Sequence, residues 1–376
     1  MLKGINLTLM IGPAVPLPVP AAVLDALTDI QVQVNSGEVT SGFEMKFTLS
    51  KNSPLHTLFL LSGQAAIPIM RAVIVVTVNG ATEVLMDGVI THQNVSPGGA
   101  GNDPVLTVKG KDLTAVMNWI DFSGIPYPAM PNFARVALIL AKYAVLGIIP
   151  VVIPSVLTEV PIPVDRIPRH KGKDLAYVKQ LAEEAGYVFY LDPGPAPGTS
   201  RAYWGPLIKV GAPQPALNMD MDHYTNVESL SFNFDNEGRT LPVVFIQNQL
   251  TKVPIPIPIP DVSLTNPPLG LVPPLPNDIE PLSGTAKLSP IRAALFGLSN
   301  AAKSADAVTA DGTLDVLRYG RVLKARQLVG VRGAGVAFDG LYYVNSVTHQ
   351  IKQSQYKQSF TLARNGLLST VPTVPA

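Results

Sequence analysis

The sequence of 376 residues contains no cysteine. This absence excludes a disulfide-stapled scaffold, thiolate metal ligands and a cysteine nucleophile. Charged residues are also scarce, at 15%, and the mean hydropathy is +0.27. A soluble monomer has to cover itself with polar side chains, so this shortage predicts that much of the surface is buried against partner subunits.

Neither sign of charge predominates, because 28 lysines and arginines stand against 27 aspartates and glutamates. This balance gives no general attraction to nucleic acid or to an anionic membrane. Aromatic residues make up only 7% of the chain, which argues against an outer-membrane barrel with aromatic girdles. The length exceeds that of one typical core, so we expect two or more domains.

Two apolar stretches lack the uninterrupted run that a targeting or membrane segment needs. Residues 1–22 resemble a signal peptide, but four prolines between positions 13 and 20 break the apolar core. Residues 136–164 are long enough to span a bilayer, yet they contain Lys142, Glu159 and four prolines. We therefore expect neither a signal peptide nor a transmembrane helix. For residues 136–164 we expect a buried helix to about Tyr143, followed by an extended apolar arm.

The first 125 residues show the patterns of an antiparallel β-domain. In "FEMKFTLS", residues 43–50, apolar side chains alternate with polar ones, which is the period of a half-buried strand. The dipeptide Asn79-Gly80 separates two β-branched runs and favours a tight hairpin. Closing such a meander into a barrel removes its exposed edges, so we predict a first β-barrel over residues 1–125.

Residues 126–215 change to a mixed α+β pattern. "NFARVALILAKYAV", residues 132–145, is apolar on nearly every face and indicates a fully buried helix. "KDLAYVKQLAEEAGYVFYLD", residues 173–192, has apolar residues at helical spacing, with Gly186 placed to end the helix. We expect a short strand over residues 187–191.

Strand patterns return later in the chain, around a proline-rich segment. We assign residues 216–250 and 313–370 to a second β-barrel, and residues 251–312 to a proline-rich extended segment followed by a helix. Alternating proline and isoleucine cannot donate a continuous ladder, so "PIPIPIP" is predicted to be polyproline-like or irregular and to lie in a groove. Ser289 and Pro290 occupy the cap and first-turn positions of the helix.

No motif in the sequence supplies an active site. "GVRGAG", residues 330–335, lacks the third glycine and the following helix of a dinucleotide fingerprint. "HKGKD", residues 170–174, has no glycine frame for a phosphate loop, and the stretch around Asp311-Gly312 lacks the acids of a calcium loop. There is no Gly-x-Ser-x-Gly elbow.

The remaining titratable candidates are isolated in sequence. Asp220, Asp222 and His223 form the densest group, but without further histidine ligands they indicate a solvated turn. The adjacent Glu183 and Glu184 point to different sides of their helix, and we place His92 and His349 at the rims of strands. We predict no catalytic, cofactor or metal residues, no cofactor and no enzymatic turnover.

One local charge excess lies in the last β-region, residues 317–366. Its charges sum to +7, because a single acid, Asp339, faces eight basic residues. This excess indicates either solvated strand faces or a basic rim that meets an acidic partner. Stacking aromatic residues are sparse there, so the pattern does not favour sequence-specific nucleic-acid binding. The basic residues are Arg318, Arg321, Lys324, Arg326, Arg332, Lys352, Lys357 and Arg364.

The order of these features resembles the phage late-control D family, the tail-hub or baseplate-hub proteins of contractile phage tails and contractile injection systems. Loose motifs carry the resemblance over most of the chain. They are "SGFEMKFTLSKNSPL", "DGVITHQNVSPGGAGNDPVLTVKGKDL", "KGKDLAYVKQLAEEAGYVFYLDPG", "LRYGRVLKARQLVGVRG" and "DGLYYVNSVTHQIKQSQYKQSFTLARNGL".

The resemblance implies two tube-like antiparallel β-barrels in one chain and a pseudo-sixfold homotrimeric ring. It also implies a structural hub, assembled in the cytoplasm, that joins a hexameric tail tube to a trimeric spike and contacts other baseplate proteins. Some relatives continue into an oligosaccharide-binding fold and a needle. Because this sequence ends at "LARNGLLSTVPTVPA", we expect a separate spike protein.

Two similar hairpins give the resemblance a testable form. Asp87-Gly88 and Asp339-Gly340 would begin the same strand of two related barrels. Residues 28–113 would then superpose on residues 225–250 plus 315–366 after a rotation of about 60° about the trimer axis. A structure in which Gly88 and Gly340 fall in unrelated strand positions, or in which the chain packs as one continuous sheet, would contradict the adapter role. The alternative from other classes of protein is a secreted β-rich binding module or a carbohydrate-active enzyme.

Overall fold

The computed structural model describes residues 4–13, 15–36, 39–50, 53, 55, 69–97, 103–155, 160–163, 167–235, 240–247, 254–259, 266–275, 278–282, 290–304, 306–371 and 374. Ser289, Glu159 and parts of the proline-rich segment lie outside these residues. The described part is mainly β with large antiparallel sheets, as the sequence predicts.

Six strands of the first 112 residues form one half of the main sheet, in the order β3-β4-β7-β6-β5-β1, and the two-residue β2 pairs with β1 as a seventh. All the pairings between them are antiparallel. The predicted alternation is confirmed in β4, where Phe43, Met45 and Phe47 are buried. The elements are β1 (Ile5–Pro13), β2 (Leu17–Pro18), α1 (Ala21–Asp25), β3 (Leu27–Asn35), β4 (Gly42–Thr48), β5 (Met70–Val78), β6 (Ala81–Ser96) and β7 (Val105–Asp112).

The α+β region packs its own core against β5 and β6. Its helices and strands are α2 (Asn132–Ala141), β8 (Ile148–Val152), α3 (Asp174–Glu184), β9 (Val188–Pro193) and β10 (Ser200–Gly205). α3 is amphipathic, and Gly186 follows it with a positive φ of 70°, as predicted. α2 is not fully buried, because Leu138 is 49% exposed on its outer face. Within the predicted apolar arm after Tyr143, Ile148–Val152 forms β8, and residues 156–159 and 164 lie outside the described part.

A second set of six strands repeats the order of the first. These are β11 (Gln214–Asn218), β12 (Val227–Phe234), β17 (Val308–Asp315), β18 (Leu328–Arg332), β19 (Gly340–Lys352) and β20 (Gln355–Arg364), with α5 (Val316–Tyr319) between β17 and β18. Their order is β12-β17-β20-β19-β18-β11. One strand differs in direction, because β11 runs parallel to β18, whereas β1 runs antiparallel to β5.

The proline-rich region is more regular than the sequence predicts. It contains β13 (Thr240–Gln247), β14 (Pro254–Pro258), β15 (Gly270–Val272), β16 (Asp278–Leu282) and α4 (Pro290–Ser304), and β15 pairs with β21 (Leu367–Ser369). β13 lies between β14 and β16 in a separate sheet.

The polyproline prediction for residues 254–258 is wrong, because β14 is a strand that pairs, among the described strands, with β13 at the edge of its sheet. Alternate residues of an edge strand direct their N–H groups away from the partner, so prolines at every second position leave the ladder intact. The N–H groups of the isoleucines between the prolines therefore face β13. Ile259, which continues their alternation, donates its N–H to the carbonyl oxygen of Pro242 at 3.0 Å.

The two halves join through β3 and β19, which pair antiparallel from Asn35–Ser346 to Asp29–Lys352. This pairing, which we call the joint, places both halves in one continuous 13-stranded sheet. The described residues therefore form the continuous sheet that counts against the adapter prediction, and they show no pair of separate closed barrels. What the two halves share is a strand order.

Two β-bulges fix how the halves correspond. One lies between Leu27 and Asp29 against β4 and recurs between Val227 and Ser229 against β17. The other lies between Ile90 and His92 against β7 and recurs between Val344 and Ser346 against β20. The repeat is therefore visible in the register as well as in the strand order.

This register corrects the predicted match between the two Asp-Gly pairs. Gly88 and Gly340 lie on corresponding strands, but the bulges align Gly88 with Tyr342, two residues further on. The two glycines also have different causes. A Cβ at Gly88 would lie 2.2 Å from the backbone oxygen of Lys111, whereas Gly340 has a φ of +136°.

A bidentate ion pair fastens the α+β region to the first half. Arg71 on β5 donates from Nε and Nη2 to the two carboxylate oxygens of Asp87 on β6, each at 2.6 Å. Nη2 also donates to the carbonyl oxygen of Gly198 at 2.9 Å, and Ser200 Oγ lies 3.4 Å from Asp87. The α+β region thus covers the side of β5 and β6 that faces away from the main core.

Candidate functional site

One face of the main sheet is polar across both halves. It spans β12, β17, β20, β19, β3, β4 and β7, while the opposite face of these strands packs into the main core. Hydroxyl groups hydrogen-bond across its strands, as between Ser229 and Thr313 and between Ser346 and Thr361, both at 2.8 Å. We call this surface the polar face. Its uncharged members include Ser229, Ser231, Asn233, Thr309, Thr313, Ser359, Thr361, Ser346, Thr348, Gln350, Gln31, Gln33 and Thr107.

The charges of the polar face balance, with five lysines and five carboxylates. Lys109 lies 2.8 Å from Glu44, and its hydrogen bond lowers the pKa of that carboxyl. Lys357 lies 2.7 Å from Glu228. None of the residues that define the face is aromatic, so it offers no stacking platform for nucleotide bases. The charged members are Lys46, Lys109, Lys111, Lys352, Lys357, Asp29, Glu44, Glu228, Asp311 and Asp315.

The second half of β6 forms an open strand edge. Residues 91–96, which we call the β6 tail, pair with β7 on one side, and no described strand pairs with the other side. All six residues are exposed, and Val95 has 57% of its surface accessible. In the corresponding part of β19 the joint with β3 covers this edge, and Val347 and Ile351 are buried.

β12 presents another open edge of the main sheet. It pairs with β17, and within the described residues no strand pairs with its other side. β12 corresponds to β3, the strand that covers β19 at the joint. Phe232 on its core face is half-buried and stacks on Phe338, with ring centroids 4.9 Å apart.

The structure does not turn the acidic triplet into a site. Asp222, His223 and Tyr224 form an exposed 3-10 turn, and Asp220 precedes it with a φ of 47°. The His223 ring packs on Tyr224 with centroids 3.9 Å apart. No group of three or more potential metal ligands occurs among the described residues.

The two strand histidines have opposite environments. His92 is exposed on the β6 tail, whereas His349 is buried, so the predicted rim position is wrong for His349. Its Nδ1 lies 2.8 Å from the hydroxyl of Tyr356. Burial lowers the pKa of His349 to about 3, which keeps the ring neutral.

Part of the basic excess in the last β-region is neutralised within the chain. Lys324 lies 2.7 Å from Glu83 on β6. Arg326 lies 3.5 Å from Asp192 and donates to the carbonyl oxygen of Asn35 at 2.6 Å. These contacts join the second half to the first half and to the α+β region, so they serve the fold.

Arg364, at the end of β20, also serves the fold. Arg364 is fully buried and donates to the carbonyl oxygens of Asp339 and Ala337, at 2.9 and 2.5 Å. Its guanidinium lies 4.6 Å from the ring centroid of Tyr342. Arg318, Arg321 and Lys352 remain exposed.

A buried polar cluster in the α+β region was not predicted from the sequence. His170 and Asp174, four residues apart in the sequence, have side chains without solvent exposure, and their Nε2 and Oδ1 atoms are 3.3 Å apart. Asp174 accepts a hydrogen bond from the Tyr143 hydroxyl at 2.6 Å and pairs with Lys142 at 2.6 Å. Burial lowers the pKa of His170. The cluster is closed to solvent at its histidine and aspartate, so we interpret it as structural.

Within the described part of the chain, no helix has the length and apolar character needed to cross a membrane. No family model matches the sequence, and no curated protein matches it.

Solved structures do resemble this chain. A tail protein from Neisseria meningitidis MC58 superposes with a TM-score of 0.64 at 12% identity, covering 97% of this chain and 98% of that protein. The 43 kDa tail protein of prophage MuSo2 from Shewanella oneidensis gives a TM-score of 0.59 at 13% identity, covering 96% and 98%. The chain has the fold of these tail proteins.

A third similarity extends beyond phage tails. The Francisella PdpA–VgrG complex matches with a TM-score of 0.60 at 7% identity, covering all of this chain and 55% of the matched chain. At such identities the similarity shows the fold alone.

Proposed function

We propose that this protein is a structural hub of a contractile phage tail or injection-system baseplate, which joins a hexameric tail tube to a trimeric spike. The internal repeat carries the proposal. Two halves with the same strand order, matched at two bulges, give each chain two similar units, so three chains present six. The fold of the phage tail proteins and of the VgrG complex supports this role.

In the proposed ring the two halves of each chain are related by a rotation of about 60°, so that six units meet the sixfold tube while the trimer meets the threefold spike. The polar face would line the central channel, because the core and the α+β region lie behind the opposite face. Because the charges of the polar face balance, cargo could pass through the channel without binding tightly to its wall. The sequence predicts residues 1–125 and residues 216–250 with 313–370 as the two units, with 126–215 and 251–312 outside the repeat. The strands shift these bounds, because β11 begins at Gln214, β17 begins at Val308 and β13 lies in the separate sheet.

The proposed partners are two further copies of the chain, the tail tube protein, a separate trimeric spike and other baseplate proteins, in a particle assembled in the cytoplasm. We propose no sequence-specific nucleic-acid partner and no cofactor. No described feature favours a carbohydrate-active enzyme or a secreted binding module over this role.

The oligomeric state tests the hub proposal directly. We expect light scattering of the purified protein to give three times the chain mass of 40.0 kDa, because the open edges and the shortage of surface charge favour assembly. A well-behaved monomer at high concentration would contradict the proposal.

We also expect no catalytic turnover. A broad hydrolase panel should give no activity above background. The densest acidic group, Asp222 with His223, lies on an exposed turn. An activity that disappears in Asp222→Ala or His223→Ala would overturn a purely structural role.

A further inference from the structure

We propose that β12 of one copy pairs antiparallel with the β6 tail of a second copy, in the register of the joint between β3 and β19. The inference rests on the proposed function, since it names the contact by which the hub would assemble. Its partner is a second copy of this chain, and its evidence is a contact that the chain already makes with itself.

The joint supplies the geometry. β3 lies along the second half of β19, with Gln33 opposite Thr348 and Val32 opposite His349. Ser36 donates its N–H to the carbonyl oxygen of Asn345 at 2.7 Å. Hydrogen-bonded pairs alternate along an antiparallel ladder, so Gln33 and Thr348 form a non-hydrogen-bonded pair, whose side chains approach closely.

The two shared bulges transfer this register to the open edges. The bulge in β12 aligns Val32 with Phe232 and Gln33 with Asn233. The bulge in β6 aligns Thr348 with Asn94 and His349 with Val95. The pairing between copies therefore places Asn233 opposite Asn94 on the polar face, and Phe232 opposite Val95 on the core face.

The exposed surfaces fit this pairing. In this pairing Val95 would be buried against the half-buried ring of Phe232. His349, which corresponds to Val95 in the repeat, is already buried in the joint. Asn94 and Asn233 would extend the row of amide and hydroxyl groups on the polar face. The β14 edge is unsuited to this contact because of its alternating prolines.

The absence of native cysteine makes a disulfide test clean. Asn94→Cys and Asn233→Cys proteins are prepared separately, mixed and oxidised mildly, and we expect a heterodimer linked through these two positions. The double variant Asn94→Cys/Asn233→Cys should give covalent oligomers up to a closed ring. Gln33→Cys/Thr348→Cys is the matched positive control and should form the same bond within one chain.

An out-of-register control makes the test specific. Asn94→Cys mixed with Ser229→Cys, four residues along β12, should give at least about 10-fold less disulfide, because strand spacing separates these residues by about 13 Å. Equal yields at positions 229 and 233 would overturn the register. If light scattering shows an oligomer but the 94–233 disulfide does not form, this inference fails and the hub proposal stands. If the protein is monomeric, both fail.

Discussion

Replacing Arg71 with methionine should lower the free energy of unfolding by about 3–5 kcal/mol, the usual cost of removing one partner from a buried ion pair. Arg71 is 3% exposed and Asp87 is fully buried, so the variant leaves a carboxylate without its two hydrogen bonds and without access to water. The carbonyl oxygen of Gly198 loses a donor as well. Methionine keeps most of the apolar stem, so the loss reports on the charge.

Two matched variants separate this effect from packing. Arg201→Met removes an arginine that pairs with Asp192 at 2.8 Å, but both side chains are largely solvated, so we expect a change below about 1 kcal/mol. Arg71→Met/Asp87→Leu should recover much of the loss, because no charge remains buried. Urea unfolding followed by fluorescence of the buried Trp204 measures all three. An Arg71→Met protein as stable as Arg201→Met would contradict the clamp.

Local patterns predicted the elements whose environment is local. The period of two in "FEMKFTLS" predicted β4, and the helical spacing with Gly186 predicted α3 and its end. β14 was missed because the meaning of its prolines depends on which side of the strand has a partner. That information lies in β13, outside the segment itself.

Contacts between distant residues account for the rest. The joint brings residue 35 beside residue 346, and no local pattern encodes that pairing. It is also why His349 is buried rather than at a rim. The Arg71–Asp87 pair could have been predicted, because each of two apolar strand runs contains one charged residue. The repeat was predicted from the Asp-Gly pairs, but its true register is set by the bulges.

The second large effect concerns acid and the joint. Burial lowers the pKa of His349 in the folded chain to about 3, from an ordinary value of 6.5. Between these values the unfolded chain binds a proton that the folded chain does not, so stability is complete above pH 6.5 and falls as the pH falls. The expected slope is about 1.4 kcal/mol per pH unit, reaching about 5 kcal/mol near pH 3.

His349→Gln should remove this slope, because an amide can still accept the hydrogen bond of the Tyr356 hydroxyl but does not titrate. Other groups titrate in the same range, so the measurement is the difference in unfolding free energy between wild type and variant at each pH. This difference should shift by about 1.4 kcal/mol per unit in favour of the variant as the pH falls below 6.5. His92→Gln, on the exposed β6 tail, is the control and should follow the wild-type curve. Parallel curves for wild type and His349→Gln would show that acid does not act at the joint.

Val95 occupies the position of His349 in the repeat, so the proposed contact between copies should lack this acid sensitivity. Acid should therefore weaken the joint within a chain before it weakens the pairing between chains.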